Sequence, residues 1–222
     1  MKDNLSAFDS SEYDRKILQT LPFYEEFYRQ TADLVRTVCG FPSSWLDVGC
    51  GTGKMGSEAY EHFDPKRFVF CDLSEGMVGV ARKHFQKESA EFLVCDAREL
   101  PFENEFDVVT AIQVFHFFHE DGRKKAVDAC YKALRESGIF VTFENVAPFT
   151  ETGRDVHLAR WKNFQIKQGK SPEESEKHIA RYEKDYFPIT VEAHLNLLRE
   201  SGFQTAEVFW LSYMQAGFWG RK

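Results

Sequence analysis

The 222-residue sequence has no long uncharged hydrophobic stretch, no paired cysteine spacing and no excess of basic residues. Since a membrane-spanning helix needs about 20 apolar residues, we expect neither a membrane span nor an export signal, and we expect a cytoplasmic protein. The five cysteines are dispersed, which predicts small buried thiols rather than a disulfide framework or a metal site. A net charge of −7 repels polyphosphate and anionic lipid, and it disfavours nucleic acid and membranes as partners.

The most informative stretch runs from Trp45 to Gly53, where a short apolar run ends in Asp47 and glycines follow at alternate positions, starting with Gly49 and Gly51. This pattern predicts a strand, a tight turn and the start of a helix. Glycine suits such a turn because it adopts positive φ without steric cost and lets a ligand approach the main chain closely. Amide groups at the following helix N-terminus favour a carboxylate or phosphate. Structural turns also use glycine, so the stretch alone is weak evidence.

Two more apolar runs end in an acid. Residues 68–71 precede Asp72, about twenty residues after the glycine turn, and residues 92–95 precede Asp96. A nucleoside-binding fold places its ribose acceptor at the first of these positions, because a carboxylate can accept from both ribose hydroxyls. A second carboxylate can accept from the exocyclic amine of adenine. Three acids at three successive strand ends therefore indicate a site for an adenosine group.

These motifs resemble those of the class I S-adenosylmethionine-dependent methyltransferases. The resemblance runs from Trp45 to about Val146 and rests on four motifs in the family's order and spacing, which are Leu46-Asp47-Val48-Gly49-Cys50-Gly51-Thr52-Gly53, Asp72-Leu73-Ser74-Glu75-Gly76-Met77, Cys95-Asp96-Ala97 with Leu100-Pro101-Phe102, and Phe106-Asp107-Val108-Val109. It implies S-adenosyl-L-methionine as the cofactor and S-adenosyl-L-homocysteine as the product.

The resemblance also implies which residues contact the cofactor. It assigns Asp47 and the Gly49 to Gly53 backbone to the methionine portion, Asp72 to the ribose, Met77 to the adenine face, and Asp96 with Ala97 to the adenine edge. The full set of predicted cofactor contacts is Asp47, Gly49, Cys50, Gly51, Gly53, Asp72, Leu73, Met77, Asp96, Ala97 and Gln113.

Helix and strand patterns alternate along the chain, which predicts an α/β fold with a parallel sheet and right-handed crossovers. We expect a Rossmann-like, doubly wound seven-stranded sheet, mostly parallel, with an antiparallel last strand and a helical lid insertion. The segment from Arg123 to Ser137 is predicted to be a helix that ends at Gly138. The final two strands, Ala206 to Tyr213 and Gln215 to Arg221, are predicted to form an antiparallel hairpin.

The sequence contains no internal repeat and no low-complexity linker, so it predicts one domain over residues 1–222. Within it we expect a helical lead-in at 1–40, a cofactor-binding core at 41–146, a polar helical insertion at 147–188, and a final helix and hairpin at 189–222. The insertion is expected to form a lid over the strand ends, where ligands bind in open α/β sheets, or a contact between the subunits of a homodimer.

Methyl transfer is an in-line displacement, so the enzyme must align the acceptor, exclude water and, for a protonated acceptor, remove a proton; no metal is required. His116 is the candidate general base, because imidazole titrates near working pH and the family places this segment beside the methyl group. A histidine among aromatic residues is also typical of a core, and Glu144 is a second candidate. Gln113 is expected to touch the cofactor, and Tyr24 and Arg181 the substrate.

The C-terminal third is similar to one branch of the family, which contains carboxy-S-adenosylmethionine synthase and proteins labelled tRNA wobble-uridine methyltransferase. In the synthase an arginine near the position of Arg181 engages the extra carboxylate of the modified cofactor, which suits guanidinium geometry. The synthase lacks the Gly-Thr-Gly found here at Gly51 to Gly53, and this departure favours ordinary methylation.

The leading hypothesis is therefore methyl transfer to a small-molecule substrate. The alternatives are synthesis of the carboxylated cofactor, methylation of a tRNA wobble base, a binding module without catalysis, and a nicotinamide-dependent oxidoreductase. The negative charge argues against tRNA. The Asp96-Ala97 pair has no explanation in a dinucleotide site.

Overall fold

The structure is a computed structural model that describes residues 8–9 and 12–222. The other residues of the predicted lead-in, 1–7 and 10–11, lie outside the described residues. The helices are α1 (Tyr13–Leu18), α2 (Tyr24–Cys39), α3 (Lys54–His62), α4 (Glu75–His84), α5 (Glu120–Ala133), α6 (Glu151–Lys167), α7 (Pro172–Ile179) and α8 (Val191–Glu200). The strands are β1 (Ser44–Val48), β2 (Arg67–Asp72), β3 (Ala90–Val94), β4 (Phe106–Ile112), β5 (Leu134–Asn145), β6 (Thr205–Ser212) and β7 (Gln215–Arg221).

The seven strands form one sheet in the order β3-β2-β1-β4-β5-β7-β6. The strands β3, β2, β1, β4 and β5 are parallel to one another, and β7 runs antiparallel to both β5 and β6. The predicted mostly parallel sheet with an antiparallel last strand is confirmed, as is the terminal hairpin. The order reverses between β1 and β4, which is the kind of switch point where open α/β sheets bind ligands.

Both faces of the sheet are covered, which explains the nearly continuous apolar character of the central strands. Trp45 belongs to the core on one face and Leu46 to the core on the other, because successive side chains alternate across a strand. The first core includes side chains of α2, α3 and α4, and the second those of α5 and α8. None of the described helices combines the length and hydrophobicity needed to cross a bilayer.

The predicted helix from Arg123 to Ser137 is wrong at both ends. Helix α5 begins at Glu120 and ends at Ala133, and β5 starts at once with Leu134, which pairs with Phe106 of β4. The ladder is irregular at this point, because β5 advances five residues while β4 advances two. A Cβ on Gly138 would lie 2.9 Å from the Arg135 carbonyl oxygen. The glycine is therefore required by close packing within the strand, and it does not end a helix.

Side-chain hydroxyls cap the N-termini of helices α4 and α8. The Ser74 hydroxyl accepts a hydrogen bond from the Met77 amide at the start of α4, and the Thr190 hydroxyl accepts one from the Ala193 amide at the start of α8. Each bond satisfies an amide that has no partner within its own helix. The cap at Ser74 also fixes the loop that follows β2, which contributes to the site described next.

Candidate active site

A cavity of about 360 Å³ lies at the carboxyl ends of the parallel strands. Loops after β1, β2, β3 and β4, together with the last residue of β5, form one wall. The opposite wall comes from the N-terminal segment, which supplies Phe8, Tyr13 and Ile17, and from the insertion, which supplies Trp161 and Tyr186. The cavity therefore lies between the sheet and a cover built from two separate parts of the chain.

The two parts of the cover are joined to each other and to the glycine turn. The Trp161 indole Nε1 donates to the Thr20 carbonyl oxygen at 2.6 Å, and the Lys170 ammonium donates to the Thr20 hydroxyl at 2.5 Å. The Thr52 hydroxyl, within the glycine turn, donates to the Asp14 carboxylate at 2.7 Å. These bonds hold α1 between the insertion and the turn that follows β1.

Most of the site residues predicted from the sequence lie in the cavity wall. Those in the wall are Gly49, Gly51, Asp72, Leu73, Met77, Asp96, Ala97, Gln113, His116 and Arg181. The remaining four, Asp47, Cys50, Gly53 and Tyr24, do not line the cavity. The structure thus brings together residues from five segments that are distant in sequence.

The glycine turn has the backbone conformation that its composition predicts. Gly49, Gly51 and Gly53 have φ values of 67°, 53° and 95°. A Cβ on Gly49 would lie 2.4 Å from the Val114 side chain, so glycine is needed there for packing. A Cβ on Gly51 would meet no atom within 4 Å, although Gly51 lines the cavity. At Gly51 the missing side chain therefore leaves the main chain open to a ligand.

Main-chain hydrogen bonds orient the Asp72 carboxylate at the wall. Its two oxygens accept from the Gly51 amide at 2.9 Å and from the Ser74 amide at 2.8 Å. The acid after β2 thus holds both its own loop and the neighbouring glycine turn. Asp72 and Gly51 form one rigid unit of the wall.

A salt bridge with Arg98, which the sequence analysis did not identify, orients the Asp96 carboxylate. The Arg98 Nε and Nη2 atoms donate to the two carboxylate oxygens at 2.9 and 2.5 Å, and the Arg98 amide also donates to it. These hydrogen bonds from Arg98 lower the pKa of Asp96. The carboxylate is therefore ionised and available as an acceptor at this end of the cavity.

Asp47 lies behind the wall, in a buried network. The Thr110 hydroxyl donates to its carboxylate at 2.7 Å, and the Trp45 indole donates to the Thr110 oxygen at 3.0 Å. Burial, with a smaller contribution from the negative charge of Asp72, raises the pKa of Asp47 to about 7. The acid of the glycine motif thus has a structural environment rather than one that faces the cavity.

Two other predicted contacts are also part of the core. The Tyr24 hydroxyl is hydrogen-bonded to the Tyr28 hydroxyl at 2.7 Å, and both rings are buried. The Cys50 amide donates to the Cys71 carbonyl oxygen at 2.9 Å, and burial raises the pKa of the Cys50 thiol. Their side chains support the cavity from behind.

His116, which lines the cavity, forms a buried pair with Glu144, which does not. The His116 Nδ1 lies 2.7 Å from a Glu144 oxygen, and the side chain of Glu144 is completely buried. Glu144 also accepts hydrogen bonds from the Thr142 hydroxyl and from three main-chain amides, those of residues 114, 115 and 116. Burial opposes ionisation, but the bonds from His116 prevail and lower the pKa of Glu144.

These contacts determine the tautomer of His116. An ionised carboxylate only accepts hydrogen bonds, so the His116 Nδ1 must be the donor. The lone pair of the neutral imidazole is then on Nε2. Within the described part of the chain Nε2 has no hydrogen-bond partner, and the ring lines the cavity. The two separate candidates of the sequence analysis are thus one hydrogen-bonded unit.

Arg123, a buried guanidinium, fixes the short turn that carries His116. It donates to the carbonyl oxygens of Phe115 at 3.1 Å, Phe118 at 2.9 Å, and Phe187 in the segment that follows the insertion helices. Glu144 binds the amide groups of the same turn. The turn is thereby held between a negative and a positive side chain.

The insertion contributes polar groups to the cavity as well as aromatic ones. The Arg181 Nε donates to the Asp185 carboxylate at 2.6 Å, and its other two nitrogens bond to no residue in the described part of the chain. Burial and the positive charges of Lys170 and Arg181 lower the pKa of His178 to about 3, so this imidazole is neutral. Across residues 8–9 and 12–222, no cluster of three His, Cys, Asp or Glu side chains is arranged to hold a metal ion.

The wall also contains Asn145, Trp161 and His178, which were not predicted from the sequence. Asn145 follows Glu144 directly at the end of β5, so its place at a strand end was a usable signal. The other two lie in the insertion, where a polar helical pattern gives no indication of which residues face the cavity.

Residues 46–138 match the model of the methyltransferase domain family. The chain is 27% identical to the carboxy-S-adenosyl-L-methionine synthase of Desulforapulum autotrophicum over 222 residues, which cover 96% of this chain and 90% of that protein. It is 29% identical over 119 residues to the malonyl-(acyl-carrier protein) O-methyltransferase of Acetivibrio thermocellus, which cover 53% of this chain and 41% of that protein.

Among solved structures, the N-methyltransferase NodS of Bradyrhizobium japonicum, crystallised with S-adenosyl-L-homocysteine, has the same fold. The TM-score is 0.65 at 17% identity, and the match covers 90% of this chain and 88% of that one. The matched domain, the relatives and the fold together support a class I S-adenosylmethionine-dependent methyltransferase that resembles carboxy-S-adenosylmethionine synthase.

Proposed function

We propose that the chain methylates a small-molecule acceptor bound between the strand-end wall and the insertion. One observation carries the proposal: a single cavity joins the Gly51–Asp72 unit to the buried His116–Glu144 pair. The first suits an adenosine group and the second suits removal of a proton, and methyl transfer to a protonated acceptor requires both.

The wall fits S-adenosylmethionine in the chemistry of its groups. Asp72 and Asp96 are carboxylate acceptors for ribose hydroxyls and for the adenine amine, and Met77 is an apolar contact for the adenine ring. The open main chain at Gly51 suits the methionine portion. When bound, this cofactor supplies an electrophilic methyl group. Asp47, Cys50 and Gly53 would act only through the main chain and packing that they support.

His116 is the proposed general base. Its Nε2 takes the proton from the acceptor, and the imidazolium that forms is stabilised by the Glu144 carboxylate on Nδ1. The aromatic side chains Phe117, Trp161 and Tyr186 exclude water from this end of the cavity. The nitrogens of Arg181 that have no partner would hold an anionic group of the acceptor.

Calorimetric titration with S-adenosylmethionine and S-adenosylhomocysteine tests the cofactor site. Asp72→Ala is expected to weaken binding at least about ten-fold, because it removes a charge-assisted acceptor and frees the Gly51 turn. The exposed Asp33→Ala in α2 is the matched control and should bind like the wild type. Absence of binding to the wild type would contradict the proposal.

A second candidate is a cofactor-modifying activity like that of carboxy-S-adenosylmethionine synthase. It is favoured by Arg181, which places an incompletely paired guanidinium in the cavity, and by the similarity to a synthase over nearly the whole chain. The proposed methyltransferase activity predicts that ligand extracted from the purified protein is not carboxylated, and mass spectrometry measures this directly. A ligand heavier by one CO₂, lost in Arg181→Lys, would favour the second candidate instead.

A further inference from the structure

Three amide side chains form a chain across neighbouring strands at the edge of the cavity. Gln113 follows β4, Asn145 ends β5 and Gln215 begins β7. The Gln113 Nε2 donates to the Gln215 Oε1 at 2.8 Å, and the Gln215 Nε2 donates to the Asn145 Oδ1. Gln113 and Asn145 line the cavity, whereas Gln215 is 1% exposed and lies outside its wall.

One backbone carbonyl sets the direction of all three amides. Amide oxygen and nitrogen have nearly the same shape, so the orientation of such a side chain must follow from its partners. The Gln113 Nε2 lies 3.3 Å from the Phe143 carbonyl oxygen, which can only accept, so this end of Gln113 must be the NH₂ group. The same NH₂ group faces Gln215, which must therefore present its oxygen to Gln113 and its NH₂ group to Asn145.

Asn145 is left with its NH₂ group on the cavity side. Its oxygen is occupied by Gln215, and within the part of the chain that the structure describes its Nδ2 has no partner. Asn145 is 4% exposed, yet its Nδ2 is not among the fully buried side-chain atoms that lack a partner, so this NH₂ group is open to the cavity. The arrangement therefore presents a hydrogen-bond donor to an acceptor atom of a ligand.

We propose that Asn145 is a substrate-binding residue that donates a hydrogen bond to an oxygen of the methyl acceptor, a carboxylate or a carbonyl. Gln215 is a positioning residue that keeps the Asn145 NH₂ group turned to the cavity. The assignment rests on the proposed function, because it takes this part of the cavity as the acceptor site. An acceptor without such an oxygen would leave the Asn145 donor unpaired, and the site would discriminate against it.

Two isosteric variants each place an oxygen on the cavity side at position 145, where the wild type has an NH₂ group. Asn145→Asp keeps the bond from Gln215 but presents an oxygen to the cavity. Gln215→Glu has no NH₂ group, so it accepts from both neighbours and turns Asn145 around until its oxygen faces the cavity. Gln204→Glu adds the same charge at an exposed position and is the matched control.

The side-chain amide region of a ¹H–¹⁵N spectrum shows the surroundings of the Asn145 NH₂ group, because the signal shifts when this group faces a different acceptor. Asn145→Asp identifies the Asn145 signal by its loss. With S-adenosylhomocysteine bound, titration with acetate or acetamide is expected to shift the Asn145 signal of the wild type. Acetate should bind more tightly, because Arg181 lies in the same cavity. In Gln215→Glu the signal should already be shifted without either probe, and acetate affinity should fall at least about ten-fold.

Three results would overturn the proposal. The first is a wild-type Asn145 signal that neither probe shifts at tens of millimolar. The second is a Gln215→Glu spectrum in which this signal is unchanged. The third is a shift produced by S-adenosylhomocysteine alone, which would make Asn145 a cofactor contact. Should Gln215→Glu not fold, acetate titration of Asn145→Asp by calorimetry decides, and wild-type affinity for acetate would overturn the proposal. Failure of S-adenosylhomocysteine to bind at all would contradict the proposed function, and this result is distinct from the three that concern Asn145.

Discussion

Glu144→Gln is expected to lower kcat at least about 100-fold and the free energy of unfolding by about 3 kcal/mol. Glu144 is fully buried and accepts from three amides, the Thr142 hydroxyl and the His116 Nδ1. A glutamine has only one acceptor oxygen, so its NH₂ group must face some of these donors. His116 then loses both its orientation and the charge that stabilises its imidazolium. Urea unfolding measures the stability, and kcat is measured with the acceptor found by screening.

The loss of stability should depend on pH in a defined direction. Because the folded protein lowers the pKa of Glu144, its contribution is fully present above the unfolded carboxyl pKa of 4.5 and is lost as pH falls through the folded value. The difference between the wild type and Glu144→Gln should therefore shrink in acid. Glu136→Gln, at an exposed position of the same strand, is the control and should change neither quantity. Wild-type kcat in Glu144→Gln would rule out the proposed base.

Asp47→Asn is expected to stabilise the protein at alkaline pH, which is unusual for a residue of a binding motif. Burial raises the pKa of Asp47 to about 7 from 3.8, so the native state binds a proton that the unfolded state releases. Stability of the wild type therefore falls as pH rises through this range. Asparagine keeps an oxygen for the Thr110 hydroxyl and does not ionise.

Between pH 5 and pH 8.5 the stability of Asp47→Asn relative to the wild type should improve by about 2 to 3 kcal/mol. Urea unfolding at the two pH values measures this, with the exposed Asp33→Asn as a control that should show no such change. Because Asp47 lies outside the cavity wall, the affinity of the Asp47→Asn variant for S-adenosylhomocysteine should stay close to that of the wild type. A large loss of affinity would support instead the direct cofactor contact that the family resemblance implies.

Most of the predicted site residues that line the cavity belong to the motifs at the strand ends. Asp72 and Asp96 each follow a strand of a parallel sheet, and parallel strands bring their carboxyl ends to one edge. Their place in the wall therefore follows from order and direction alone. Asp47 has the same kind of position, but its side chain points into the buried network with Thr110, and no sequence pattern predicts that direction.

Other features depend on tertiary contacts that no local pattern contains. Glu144 and His116 are 28 residues apart, and their pairing requires β4 and β5 to be neighbours in the sheet. The segment after Ala133 was predicted as helix, but Leu134 pairs with Phe106, and strand pairing overrides local helix preference there. In the insertion a charge-rich pattern predicted helices, but it did not predict that His178 and Arg181 would reach the cavity.

The position of β7 in the sheet makes the polarity at Asn145 depend on the C-terminal hairpin. Although β6 precedes it in the chain, β7 lies between β5 and β6, so both of those strands have an unpaired edge until β7 inserts. Unpaired edges invite association with other chains. Asn145 pairs with Gln215 in this ladder, so the amide that orients Asn145 arrives with the same strand. The wall residues on the parallel strands do not depend on β7 in this way, so a change that weakens the β5–β7 ladder would affect the polarity at Asn145 before it affects the glycine turn.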